Sequence, residues 1–241
     1  AAATRACWTC AAPSGAAPRT ICTATINSDN EKKVFEKHLK GKNFKFVELT
    51  DFQPKKSKAS NSYPDEVEGG DDAWFQKACD AGVQCDVLLI SGHFSSNSFF
   101  STNSNLALPV SSLQQRSCSK TCDGILRAPK EVYLLGCNTL ALKDADLRTP
   151  ERYRQDLISD GIEPSAAALI SGGRYSPFGE SNREIMQKAF QGVPAIYGFE
   201  SFAPKGNQIG PFLDKYMTNI SDYSHRLDQL EAQKVMTAVT G

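Results

Sequence analysis

Apolar positions along the chain fall into two patterns. Short unbroken runs, Val87-Leu88-Leu89-Ile90 and Val132-Tyr133-Leu134-Leu135, lack the polar alternation of a half-exposed strand. Runs of this length predict strands buried on both faces of a parallel sheet. Ile21 to Ile26, Phe44 to Leu49 and Val193 to Phe199 read as further strands. The other pattern has helical spacing. Val34, Phe35, His38 and Leu39 predict a helix over 29–40, opened by Asp29 and closed by Gly41. Trp74, Phe75 and Ala78 predict one over 71–81, and Ile185, Met186, Ala189 and Phe190 one over 182–191. Pro150 suits the first turn of a helix reaching Ser159, and residues 209–239 read as mostly helical. Strand and helix patterns alternate from the start, as right-handed parallel crossovers require. The fold class expected is α/β: a three-layer sandwich with a mostly parallel central sheet and helices on both faces.

Polar stretches punctuate these elements. Residues 1–19 read as an extended arm containing Cys7-Trp8-Thr9-Cys10, and residues 20–241 as one domain. Residues 51–70 form an excursion rich in Pro, Lys and Gly. Ser95 to Asn105 reads as a polar loop, followed by a leucine-rich segment from Leu106 to Leu113. Cys118-Ser119-Lys120-Thr121-Cys122 reads as a looped crossing closed by a disulfide. Glu163 to Ile170 fits a helix or a strand, and Ser171-Gly172-Gly173-Arg174 a loop.

Each of the two buried runs ends in chemistry. The first continues Ser91-Gly92-His93, the second Gly136-Cys137-Asn138. In parallel sheets ligands bind beyond the carboxyl ends of the strands. A histidine and a cysteine would therefore emerge at one sheet edge. An imidazole beside a thiol takes its proton, and the thiolate attacks a carbonyl carbon. Taken singly, such a cysteine is a small core residue and such a histidine a satisfied polar group. The duplicated strand pattern, each copy delivering one partner, favours the pair.

The same residues carry a family resemblance. An apolar strand with Ser91-Gly92-His93, then a second ending Gly136-Cys137-Asn138-Thr139, resembles the caspase-like cysteine peptidases. Leu134 to Thr139, with Asn105-Leu106-Ala107-Leu108 ahead of it, is most similar to the bacterial CHAT type. The resemblance implies a caspase-like sandwich and a cysteine endopeptidase with His93 and Cys137 catalytic. It also implies an oxyanion held by backbone N–H groups of Cys137 and of Gly92 or Phe94. Phe94 stands where the family has glycine. The pocket for the residue before the scissile bond would draw on Asp86, Asp144, Asp146, Glu200, Ser201 and Phe202. A carboxylate buried there would select Arg or Lys. The alternative is a weak or inactive caspase-like domain that binds a protein partner.

Composition narrows the class. The 27 basic and 27 acidic residues cancel, which argues against a nucleic-acid partner. No apolar run approaches the roughly 20 residues of a membrane span. The partners expected are a protein or peptide substrate and a regulatory partner or domain. Cys7-Trp8-Thr9-Cys10 lacks the strand–helix context of a redox pair and the histidine of a haem site. With no paired zinc spacing and no HExxH, neither metal nor cofactor is expected. The eight cysteines, Cys137 excepted, cluster in polar sequence. That suggests disulfides and an exported protein, and Ala1-Ala2-Ala3-Thr4 suits the remnant of a signal-peptidase cut. A cytoplasmic protein with reduced thiols is the alternative.

Overall fold

The computed structural model describes residues 17–53, 72–95, 97–142, 148–159, 163–176 and 179–240. Residues 1–16 of the arm expected over 1–19, and residues 54–70 of the excursion expected over 51–70, lie outside the described residues.

Five parallel strands form the central sheet: β1 (Arg19–Thr25), β2 (Phe44–Glu48), β3 (Val87–Ser91), β7 (Glu131–Leu135) and β8 (Ala195–Tyr197). Their spatial order is β2-β1-β3-β7-β8. The register pairs Ile21 with Val87, and Val87 with Glu131. Every residue of β3 and β7 is buried, as their unbroken apolar runs predict.

Alternate residues of those strands feed two separate cores. Cys22, Ala24, Leu88, Ile90, Val132 and Leu134 face one side. There they meet α2 (Ala73–Asp80), α3 (Val110–Ser119), α4 (Asp123–Leu126) and α7 (Asn182–Ala189). Ile21, Val87, Leu89, Tyr133 and Leu135 face the other. These meet α1 (Asn30–Leu39), α8 (Gly206–Asn219) and α9 (Tyr223–Thr240). The result is the three-layer α/β arrangement expected from the strand and helix patterns. A hairpin of α5 (Pro150–Ser159) and α6 (Pro164–Tyr175) packs about a small core of its own, Tyr153, Leu157 and Ala167.

Some local expectations are corrected. The polar stretch after His93 is not a plain loop. It folds into an antiparallel sheet of β4 (His93–Ser95), β5 (Ser98–Phe100) and β6 (Ala107–Pro109). Buried Phe94, Phe99 and Leu108 anchor it, with the Phe94 and Phe99 rings 4.7 Å apart. Three buried apolar residues spread over fifteen do not register as a periodic signal. Ser171 to Arg174 belongs to α6, not to a loop. Nothing lies within 4 Å of a side chain at Gly172 or Gly173, so the glycines meet no packing demand there.

The proposed Cys118–Cys122 bridge does not form. Cys118 is exposed with a free thiol, while buried Cys122 pairs with Cys79 of α2. Cys22 of β1 pairs with Cys85 just ahead of β3. Both bridges join segments 43 or more positions apart, a distance that sequence clustering cannot disclose. No helix among the described residues is long and apolar enough to cross a membrane.

Candidate active site

The chain crosses from β2, on one flank of β1, to β3 on the other. Beyond β1 and β3 the strand order therefore reverses, and such a reversal opens a crevice at the carboxyl ends. Asn27 follows β1, His93 follows β3, Cys137 follows β7, and Ser201-Phe202 follow β8. His93, Cys137, Ser201 and Phe202 line a cleft of about 690 Å³. Phe94, Phe100, Asn138 and the α5 residues Arg152 and Asp156 complete much of its wall.

The ladder fixes the relation of His93 to Cys137. Ser91 pairs with Leu135, so His93 and Cys137 each stand two residues beyond the last pair. A side chain at Gly136 would come within 2.8 Å of Phe94 Cβ and 2.9 Å of the Gly92 carbonyl oxygen. Only a glycine lets the two strand ends run this close. Thr139, fully buried, donates its hydroxyl to the Leu134 carbonyl at 3.0 Å and closes the turn around Cys137. Asn138 adopts the left-handed conformation with φ +58°, which asparagine tolerates better than most residues. Its carbonyl accepts from Asn182 Nδ2 at 2.7 Å. Asn182 is aimed there because a capping box between Ser181 and Glu184 sets the start of α7.

His93 is exposed, and its ring leans on Phe100 with centroids 5.5 Å apart. Asn27 Nδ2 lies within hydrogen-bond distance of His93 Nε2, at 3.2 Å. The other end of that amide is held too. Asn27 Oδ1 accepts from Ser101 Oγ at 3.2 Å and from the Thr102 N–H at 3.4 Å. The Ser91 carbonyl accepts from the backbone N–H groups of Ile26 (2.9 Å) and Asn27 (3.2 Å), tying the β1 end to β3. Sequence reading missed Asn27. It sits in a turn where asparagine is commonplace, and its partner is 66 residues away.

The other expected residues divide. Gly92 uses its N–H on the Leu135 carbonyl at 3.4 Å, so that group serves the sheet rather than an oxyanion. Phe94 is 7 % exposed and extended within β4, with its ring against Phe99. Asp86 is not brought to the cleft. It lies ahead of β3, at the opposite sheet edge, accepting from the Thr20 N–H at 2.8 Å and from Lys130 Nζ at 3.1 Å. In a parallel strand the first residue cannot share an edge with the last, so Asp86 is no part of a pocket with His93. Glu200, exposed, pairs with Arg183 of α7. Asp144 and Asp146 lie outside the described residues. Among those described, the charged side chains on the cleft are Arg148, Arg152 and Asp156. Asp156 pairs with both arginines, at 3.5 and 3.2 Å.

Comparison of the chain with protein-family models, curated proteins and solved structures finds no match.

Proposed function

We propose that the chain is a cysteine endopeptidase of caspase-like type, with Cys137 as nucleophile and His93 as acid and base. The observation that carries this reading is the convergence of adjacent parallel strand ends, β3 with His93 and β7 with Cys137, on one cleft. His93 takes the thiol proton, and Sγ bonds to the scissile carbonyl carbon. Collapse of the tetrahedral species breaks the C–N bond as His93 returns the proton to the leaving amine. Water, deprotonated by the same imidazole, then releases the acyl group from sulfur. The Cys137 and Phe94 amides are the candidates for the oxyanion. The substrate is a protein or peptide laid across the cleft, with Phe202 and Phe100 offering aromatic surface. Two disulfides suit an exported protein.

A peptide library varied at the residue before the scissile bond tests the reading. Cleavage is expected, and prior alkylation with iodoacetamide is expected to stop it, with the modified residue located by mass spectrometry at Cys137. Cleavage that survives complete alkylation of Cys137 would sink the proposal. The same library reads substrate preference. The expected choice of Arg or Lys has lost Asp86 as its source, and Asp156 and Glu200 are already paired with arginines, so that preference would rest on Asp144 or Asp146.

Asn27 has a positioning role in this scheme. Asn27→Ala releases the imidazole from the β1 end while leaving both strands intact. The expected cost is about ten- to a hundredfold in kcat with little change in KM, since misplacing a catalytic group by an ångström costs that much. Full kcat in Asn27→Ala would show that the ring is held by Phe100 alone.

A further inference from the structure

The segment after β8 does more than border the cleft. It runs beside the nucleophile turn and is bonded to it step by step. The Phe199 N–H donates to Thr139 Oγ1 at 3.1 Å, and the Leu140 N–H to the Phe199 carbonyl at 2.9 Å. The Asn138 N–H donates to the Ser201 carbonyl at 2.7 Å. The last bond in the series differs from the others, because the Ala203 N–H donates to Cys137 Sγ at 3.3 Å. Its acceptor is the atom that reacts.

We infer that the Ala203 backbone N–H is a catalytic group of this site, a fixed donor that stabilises the Cys137 thiolate. A thiol sulfur is a weak acceptor, whereas a thiolate carries a full charge. Hydrogen bonds to an ionised partner are about twice as strong as neutral ones. The bond therefore favours the form of Cys137 that attacks. It also costs little reorganisation. The bonds at Phe199 and Ser201 hold the segment on the turn, and Pro204 restricts Ala203 to extended backbone. Such a donor needs no side chain, so no residue type at position 203 marks it in the sequence. Phe202, 85 % exposed at the mouth of the cleft, sits between the two residues bonded to the turn. Substrate pressed against Phe202 therefore bears on the same short segment that holds the sulfur.

The consequence for turnover rests on the peptidase reading; the state of the thiol does not, and the test separates them. Ala203→Pro removes the N–H, and Ala203→Gly keeps it. Iodoacetamide alkylation of the folded chain is followed by mass spectrometry across a range of pH, without any peptide. Exposed Cys118 reports in the same sample as an internal control. In Ala203→Pro the pH of half-maximal alkylation at Cys137 is expected to rise by about one unit, the tenfold change in thiolate that one charge-assisted bond is worth. At Cys118 it stays in place, and Ala203→Gly behaves as the parent. Should proline disturb the fold, lactic acid placed at position 203 replaces the amide by an ester of nearly the same shape. A Cys137 profile that does not move in the ester protein overturns the inference. A shifted profile in a chain that cuts no peptide upholds the donor and removes the peptidase reading.

Discussion

Replacing Cys137 by Ala is expected to abolish peptide cleavage, a fall in kcat/KM of at least about 10⁴-fold. His93→Ala is expected to cost about 10³- to 10⁴-fold, the upper part of what general acid–base catalysis supplies. The two losses should not add. With no thiolate to accept its help the imidazole has no proton to move, so the double variant should cut no more slowly than Cys137→Ala alone. That non-additivity is the discriminating result. Two residues that merely stabilised the cleft would show independent, roughly additive effects. The fold should tolerate both changes. Cys137 is half-buried and outside both disulfides, and His93 is exposed, so urea midpoints should stay near that of the parent. Cys118→Ala serves as the contrast, since the other free cysteine among the described residues lies at the surface of α3. The dyad assignment falls if His93→Ala retains parental kcat/KM, or if Cys118→Ala lowers it as Cys137→Ala does.

How far these residues could be read from the chain differs with the range of their partners. The buried strands β3 and β7 announce themselves because a strand covered on both faces must be apolar throughout. Their last residues then follow by counting, which is why His93 and Cys137 were legible. The atoms that demand glycine at position 136, Phe94 Cβ and the Gly92 carbonyl, belong to the segment that follows β3, far away in the sequence. Asn27, Asn182 and Ala203 were not legible. Each acts through hydrogen bonds to residues far away in the sequence, and a single asparagine or alanine has no distinctive spacing. Asp86 misled for a related reason. It adjoins an apolar run that ends in His93, yet it precedes Val87 and so belongs to the amino edge. The cysteines misled by proximity, because closeness in sequence says nothing about which side of a helix each faces.

Glu131→Ala is expected to remove about 3–5 kcal/mol of stability, a larger loss than any change at the cleft. Glu131 opens β7 and its side chain has no exposed surface. A carboxylate that far from water persists only if every lone pair is used. Here Arg226 Nε donates at 2.7 Å, Tyr133 at 2.9 Å and Tyr197 at 3.4 Å, and the Tyr223 hydroxyl donates as well. Burial holds the Tyr133 and Tyr223 hydroxyls protonated well above the ordinary tyrosine range, so they stay donors. Burial works most strongly against the Arg226 charge, but the hydrogen bond to Glu131, the negative charge of Glu131 and the neighbouring Tyr197 and Tyr216 together outweigh it and raise that group above its usual value. Arg226 and Tyr223 both lie on α9, so this one carboxylate pins the C-terminal helix to the sheet. Alanine leaves a guanidinium and several hydroxyls without their acceptor, and each buried orphan costs about 1–3 kcal/mol. Urea unfolding at neutral pH measures the loss, with an unchanged slope expected if folding stays two-state. Glu131→Gln keeps the shape and surrenders only the charge, so its loss should be the smaller. Because Glu131 stands at the amino end of β7 and Cys137 beyond the carboxyl end, the folded fraction of either variant should alkylate at Cys137 as the parent does. A Glu131→Ala protein that unfolds at the parental urea concentration would mean that α9 is held by its apolar contacts, Tyr223 and Leu227 against the sheet, and not by the buried carboxylate.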